Sequence, residues 1–284
     1  MPPALGATAI RDLARRHGIR PTKSLGQNFL IDPNLARAIV ADAGIGPGDP
    51  VIEVGAGFGS LTVALASAGA HVLAIEFDRG LIPALEEVTS GMDGVHVLHA
   101  DAMKLDWPAV LACEVGEAGA PWTLCANLPY NVAVPVVMES LERGTTITRE
   151  VVMVQREVGE RLAAGPGDDQ YGAVSVRVAY RARASVVRKV ASSVFWPRPS
   201  VDSVVVRLDR LAVPPVSVDE ATLWKVVEVA FAERRKTMRN AVRRLGIDAS
   251  AADDILREAG VAPASRPEEL DIAAFAAIAE RIPA

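Results

Sequence analysis

The stretch Val51-Ile52-Glu53-Val54-Gly55-Ala56-Gly57-Phe58-Gly59-Ser60 decides the fold. A short apolar run enters a turn built on three glycines. An alanine-rich, helix-compatible segment, Ser60–Ala68, then follows. A second short apolar run, Val72–Ile75, comes next and reads as another buried strand. Working outward, Val95–His99, Thr123–Ala126, Val151–Gln155 and Val201–Leu208 read as further strands. Helical stretches lie near Leu81–Val88 and Val134–Arg143. Strands alternating with helices predict an α/β domain with a mostly parallel sheet covered on both faces.

The pattern changes after Ala212–Val216, where Pro214 and Pro215 mark a linker. Beyond it, Leu223, Val226, Val227, Ala230 and Phe231 form one helical apolar stripe. We therefore expect two domains: residues 1–211, and a small all-helical domain over 212–284.

Composition narrows the class. Half of the 284 residues are hydrophobic and 23% are charged, enough for a sizeable core. No run approaches the ~18 apolar residues of a membrane span. The N-terminus lacks a basic-then-apolar signal pattern, because Arg11, Arg15 and Arg16 follow its apolar stretch. Cys113 and Cys125 are too few for a disulfide scaffold or a cysteine-rich metal site and read as plain thiols. His96 and His99 fall three apart in a strand and face opposite sides, while His17 and His71 are isolated, so no metal is expected. The expectation is a soluble, cytoplasmic chain, and a monomer.

The glycines are spaced G-x-G-x-G, and Ser60 stands where a nicotinamide-dinucleotide fingerprint needs a further glycine. The close spacing suits a smaller adenosyl ligand. Glu53 lies just ahead of the loop, Glu76 ends the next strand, and Asp101 follows the third. Carboxyl ends of parallel strands are where open α/β sheets bind ligands. There Glu76 can accept both ribose hydroxyls, and Asp101 can accept the exocyclic amine of an adenine. Together these acids point to S-adenosyl-L-methionine.

Asn127-Leu128-Pro129-Tyr130 follows the fourth strand. An exocyclic aromatic amine is a poor nucleophile, because its lone pair is delocalised into the ring. Two acceptors on its hydrogens correct this, and the Asn127 side-chain carbonyl and the Leu128 backbone carbonyl are suited to the task. Pro129 stiffens the turn and removes a competing donor. Tyr130 offers a stacking face. Catalysis is then largely positioning.

On these residues the chain resembles the ribosomal RNA adenine N6,N6-dimethyltransferases, and among them the bacterial small-subunit group. The likeness begins at Lys23-Ser24-Leu25-Gly26-Gln27-Asn28-Phe29-Leu30 and runs through the glycine loop, Glu76, Asp101-Ala102-Met103 and Asn127–Tyr130. It continues in Tyr171-Gly172-Ala173-Val174-Ser175 and in Phe195-Trp196-Pro197-Arg198-Pro199-Ser200-Val201-Asp202-Ser203. It ends in Phe231-Ala232-Glu233-Arg234-Arg235-Lys236-Thr237-Met238-Arg239-Asn240. Ala56, where many relatives carry proline, and Trp196, where small or polar residues are common, depart from the pattern.

The resemblance implies a Rossmann-like class I S-adenosylmethionine-dependent methyltransferase sheet. Asn28 and Leu30 would touch the methionine end of the cofactor. Gly55, Gly57, Glu76, Asp101, Ala102 and Asn127 would complete its site. Asn127, Leu128, Pro129 and Tyr130 would serve the target amine, with Phe195 closing over a flipped base opposite Tyr130. The implied activity is dimethylation of two adjacent adenines near the 3′ end of small-subunit (16S) rRNA. The implied partner is the small-subunit rRNA within the pre-30S particle, with a role in its biogenesis. The alternatives are a large-subunit rRNA adenine methyltransferase conferring antibiotic resistance, and an assembly factor acting mainly by binding.

The net charge of −5 is an average. Residues 1–30, 171–200 and 233–244 carry +4, +6 and +5, leaving −20 on the remainder. Arg234, Arg235, Lys236 and Arg239, expected at a helix start, read as an RNA phosphate footprint. The N-terminal arm is expected to be flexible and to order on RNA. The three segments are expected to line one RNA-facing side around the Asn127–Tyr130 pocket.

Overall fold

The computed structural model describes residues 5–22, 25–113 and 121–283, with the side chain of Cys113 outside that set. The chain packs as two compact units. One holds the residues up to Gly159 together with Ser185–Arg210; the other holds Glu160–Ala184 and the chain from Leu211 onward.

In chain order the elements begin α1 (Ala7–Arg16), β1 (Phe29–Leu30), α2 (Pro33–Ala43), β2 (Pro50–Val54), α3 (Ser60–Ser67) and β3 (His71–Glu76). Next come α4 (Ile82–Thr89), β4 (Val95–His99), α5 (Trp107–Cys113), β5 (Trp122–Asn127), α6 (Ala133–Arg143) and β6 (Ile147–Gln155). After α7 (Arg156–Ala163) and α8 (Ala173–Arg181) the chain runs through β7 (Ala182–Val190), β8 (Phe195–Trp196) and β9 (Ser203–Arg210). It finishes in α9 (Glu220–Ala232), α10 (Met238–Arg243), α11 (Ala249–Glu258) and α12 (Ile272–Ala279).

Seven strands form one sheet in the order β4-β3-β2-β5-β6-β9-β7. The first five are mutually parallel, and β9 runs antiparallel to β6. Val51–Val54 are buried throughout, as a central parallel strand covered on both faces requires. On one face Ile39 and Val40 of α2 and Leu61 and Leu65 of α3 pack against Val51, Val72, Cys125 and Val151. Asp32 starts α2 by accepting the Asn34 and Leu35 amides, and left-handed Gly44 ends it. Because β2 lies between β3 and β5, the strand order reverses there. The carboxyl ends of β2 and β5 thus flank the crevice where such sheets take ligands.

Two parts of this unit differ from the expectation. β7 is exposed along much of its length and carries Arg183, Arg188 and Lys189, so it shows no apolar run to read. The N-terminal arm, expected to be flexible, is a packed helix over Ala7–Arg16. Ile10, Leu13 and Ala14 of that helix are buried against Phe29, Phe58, Leu81 and Ala84. An isolated ten-residue helix is marginal, but burying two large apolar side chains is worth about 1.5–3 kcal/mol each. The arginines there mask an amphipathic stripe. Lys23 and Ser24 lie outside the described residues.

In the second unit, Tyr171, Val176 and Tyr180 share one apolar cluster with Leu223, Val226, Met238, Leu256 and Phe275. The Tyr171 hydroxyl donates to the Leu270 carbonyl at 2.8 Å. A single cut at residue 211 follows chain order, whereas this packing takes α8 in with the C-terminal helices. Asp219, Asp248 and Asp271 cap α9, α11 and α12. No helix among the described residues is long and apolar enough to cross a membrane.

Candidate active site

A cavity of about 280 Å³ opens at the carboxyl ends of β2, β3 and β5 and at the loop after β4. Residues 25–30 also line it. Of the residues expected here, Asn28, Leu30, Gly55, Gly57, Glu76, Asp101, Ala102, Asn127, Leu128, Pro129 and Tyr130 all face this one space.

The glycine loop and the Asn127 turn touch. Gly55 has φ +77°, and a Cβ there would come within 3.1 Å of Pro129 Cδ. The Gly55 and Ala56 amides both donate to the Ile75 carbonyl, at 2.8 and 3.2 Å, which folds the loop back onto β3. Ser60, in place of a further glycine, donates its hydroxyl to the Leu30 carbonyl at 2.6 Å and so ties β1 to α3.

Glu76 is held at both oxygens. Gly57 N donates to Oε2 and Asp78 N to Oε1, each at 2.8 Å. A carboxylate oxygen has two lone pairs, so each keeps one to offer a vicinal diol. Burial pushes its pKa above the ordinary glutamate value, against the pull of these amides. Asp101 caps the short helix Ala102–Lys104, accepting Met103 N at 3.0 Å. Glu53 lines the floor but is tied back into the fold: the Thr62 hydroxyl lies 2.6 Å from its carboxylate. Burial raises its pKa to about 8, so at neutral pH it is mostly an uncharged acid.

The Asn127 amide donates through Nδ2 to the Asn28 carbonyl at 3.1 Å. That bond fixes the flip and leaves the Oδ1 lone pairs for another donor. Leu128 N donates to the Met153 carbonyl at 3.1 Å, which anchors the turn on β6. The Tyr130 hydroxyl lies 2.8 Å from Ser203 Oγ.

Phe195 is seated elsewhere. It is 2% exposed and belongs to the core cluster that includes Leu30, its partner across β1 and β8, and it does not line the cavity. Its neighbour Trp196 lies 6.3 Å from Phe29, which itself lies 4.6 Å from Phe58 of the glycine loop. Cys125 is a buried free thiol whose pKa burial raises.

The basic run falls in the turn between α9 and α10 and along α10 to Arg244, just past its end. Arg234 pairs with Glu268 at 3.1 Å and Arg244 with Glu233 at 3.1 Å, while Arg239 forks onto Asp253 of α11. Arg235, Lys236 and Arg243 are exposed. Charge counting along the chain could not separate these two sets, because two of the acids, Asp253 and Glu268, come from elsewhere in the sequence.

Two residues that brace the walls of this cavity carried no chemical signal of their own. Gln27 donates to Asp78 at 2.7 Å and accepts Thr22 N at 2.8 Å, bracing the arm against the loop after β3. Ser203 is fully buried behind Tyr130.

The model of the ribosomal RNA adenine dimethylases matches residues 19–283. The chain belongs to the ribosomal RNA adenine dimethylase family. It is 43% identical over 284 residues to Ribosomal RNA small subunit methyltransferase A of Acidothermus cellulolyticus, covering 98% of this chain and 95% of that one. It is 46% identical over 279 residues to the protein of the same name from Thermobifida fusca, covering 96% and 94%. Among solved structures it resembles the 23S rRNA methyltransferase ErmE at 26% identity and a TM-score of 0.68, covering 89% of this chain and 99% of that one. A dimethyladenosine transferase from Plasmodium falciparum shares the fold, with a TM-score of 0.73 at 24% identity and coverage of 88% and 95%.

Members of the dimethylase family are S-adenosyl-L-methionine-dependent enzymes that methylate rRNA adenine, and this chain is one of them. Its pocket fits that cofactor. The loop at Gly55 leaves no room for a side chain beside Pro129, and the Glu76 carboxylate is oriented by two amides with lone pairs to spare.

Proposed function

We propose that this chain dimethylates the N6 amines of two adjacent adenines near the 3′ end of small-subunit (16S) rRNA. It acts as a cytoplasmic monomer on the pre-30S particle and takes part in its biogenesis. The observation that carries the chemistry is the meeting of the glycine loop, Glu76 and the Asn127–Tyr130 turn in one cavity. The small-subunit assignment draws on relatives of that name at 43% and 46% identity, against 26% for ErmE.

When bound, S-adenosyl-L-methionine supplies an electrophilic methyl group. Glu76 holds the ribose hydroxyls and Asp101 the adenine amine. Asn28, Leu30, Gly55, Gly57 and Ala102 complete the cofactor's surroundings. In the first transfer Asn127 Oδ1 and the Leu128 carbonyl accept the two hydrogens of the target amine; in the second, one of them accepts the single hydrogen that remains. This draws the amine's lone pair out of conjugation and aims it into the pocket. Pro129 keeps the turn stiff, and Tyr130 stacks on the flipped base, which cannot reach this depth while paired in a helix. No strong base is required, because the product ammonium readily gives its proton to water. Arg234, Arg235, Lys236 and Arg239 form the RNA-contacting run; all four are exposed, Arg234 and Arg239 are ion-paired within the helical unit, and Arg235 and Lys236 are the members offered to phosphate.

The test is incubation with undermethylated small subunits and methyl-labelled cofactor. Label on adenine of the small-subunit RNA is expected. Label confined to large-subunit RNA would instead assign the chain to the antibiotic-resistance activity.

A further inference from the structure

The Asn127–Tyr130 turn is clamped at nearly every residue. Asn127 is tied to Asn28, Leu128 to Met153, and Pro129 is pressed against Gly55. Gly26 crosses close above it, since a Cβ there would lie 3.2 Å from Tyr130 N. These contacts fix the backbone but not the Tyr130 ring, which is half-buried at the wall of an open cavity. A ring with free space on one side is not held by packing alone.

Its hydroxyl is held instead. Ser203 Oγ lies 2.8 Å from Tyr130 Oη, and Ser203 is 1% exposed. Ser203 has no freedom to follow a moving ring. It opens β9 in register with Gln155 of β6. The preceding residue, Asp202, accepts Arg156 N on its carbonyl and Ser192 N on its carboxylate, both at 3.0 Å. The two halves of the turn are therefore referred to two adjacent strands, Leu128 to β6 and Tyr130 to β9. Burial, with Asp202 nearby, raises the Tyr130 pKa above that of an ordinary phenol. The hydroxyl is thus protonated at working pH and engaged away from the amine, so it serves as an anchor and not as a base.

We propose that Ser203 is a positioning residue for methyl transfer, fixing through the Tyr130 hydroxyl the angle at which the ring meets the target base. This rests on the reading of Tyr130 as the stacking face.

The test compares S203A, Y130F, the double variant and Y130A in the full-length enzyme. Methylation of undermethylated small subunits gives kcat and KM, and calorimetry with S-adenosylhomocysteine reports the cofactor site. NMR on ring-labelled tyrosine reports the ring itself, and the chain has only three tyrosines. S203A and Y130F are each expected to lower kcat about tenfold, the worth of one ordered hydrogen bond. The double variant is expected to lose the same tenfold and no more, because both changes remove one bond. Cofactor affinity should stay within about twofold of wild type, and in S203A the Tyr130 resonance should move while Tyr171 and Tyr180 hold. A full-rate S203A, losses that multiply in the double variant, or a parallel fall in cofactor affinity would overturn the proposal. If S203A fails to fold, Y130F removes the same bond from the other side, and a full-rate Y130F overturns the proposal alone. A full-rate Y130A overturns the stacking reading itself, whereas an inactive Y130A beside a full-rate S203A overturns only the role of Ser203.

Discussion

The turn at Asn127–Tyr130 and the basic run at Arg234–Arg244 are both short motifs noticeable in the sequence, yet they yield to sequence reading very differently. In the turn, residue identity and chemistry coincide. The Asn127 amide is committed to the Asn28 carbonyl through its nitrogen, which leaves its oxygen for a substrate, as the motif suggests. In the basic run, identity misleads, because three of its six cations are engaged by Glu268, Asp253 and Glu233 within the helical unit. A motif whose function is geometric survives folding. A motif whose function is net charge is partly consumed by it.

The largest effect that would break this contrast comes from Asn127. N127A is expected to lower kcat by about 10²–10³-fold, the usual cost of one oriented polar group at a reacting centre, with little change in Tm. A variant within severalfold of wild type would show that the turn is structural. Next in size is Glu76. E76Q keeps the shape but loses one acceptor and the charge, and calorimetry is expected to show cofactor binding weakened by about 10–100-fold. Unchanged affinity would remove Glu76 from the ribose site.

The basic run supplies the other side of the comparison. In R235Q/K236Q, the slope of log affinity for rRNA against log salt should flatten by about one for each phosphate that is no longer neutralised, with Tm unchanged. R239Q should do the reverse, lowering Tm because Asp253, only 16% exposed, loses its forked contact and keeps only Arg257 at 3.5 Å, while the salt slope barely moves. Equal effects on slope from the two variants would show that ion pairing does not withdraw a cation from RNA.

Legibility followed the same division. The parallel strands were readable because buried β-strands are short apolar runs between glycine and proline. The acids at their ends were readable because sheet topology brings the ends together. β7 was not, since its exposed, charged residues carry no apolar period. Nor was the packing of α1, where arginines flank a stripe of only Ile10, Leu13 and Ala14. Phe195 shows the limit inside a motif: spacing placed it in the right loop, but only packing reveals that its ring faces the core. Ser203 and Gln27 meet the site through hydrogen bonds to residues far off in the chain, Tyr130 and Asp78, and neither leaves a periodicity or a charge to notice.

A separate effect concerns the buried acids, which no charge count distinguishes from surface ones. Glu150 lies fully buried, with Ser140 Oγ 2.9 Å from Oε1 and 3.0 Å from the Val137 carbonyl. One hydroxyl hydrogen cannot serve both, so a protonated Glu150 can donate to Ser140, while Oε2 is buried without a hydrogen-bond partner. Burial raises its pKa from 4.5 to about 8, as for Glu53. A carboxyl whose folded pKa lies above its unfolded value stabilises the fold at low pH and loses that contribution as pH rises through the folded pKa. Stability should therefore decline between about pH 5 and pH 8, and E150Q should flatten the decline in urea titrations across that range. An unchanged pH profile in E150Q would mean that Glu150 is charged in the fold.

The central claim is that the pocket between the glycine loop and the Asn127–Tyr130 turn dimethylates adenines of the small ribosomal subunit. Mass mapping of small-subunit RNA after reaction tests it most directly. Two adjacent N6,N6-dimethyladenines near the 3′ end are predicted, absent when N127A replaces the wild-type enzyme. Unmodified adenines after reaction with the wild-type enzyme, or methylation confined to large-subunit RNA, would contradict it.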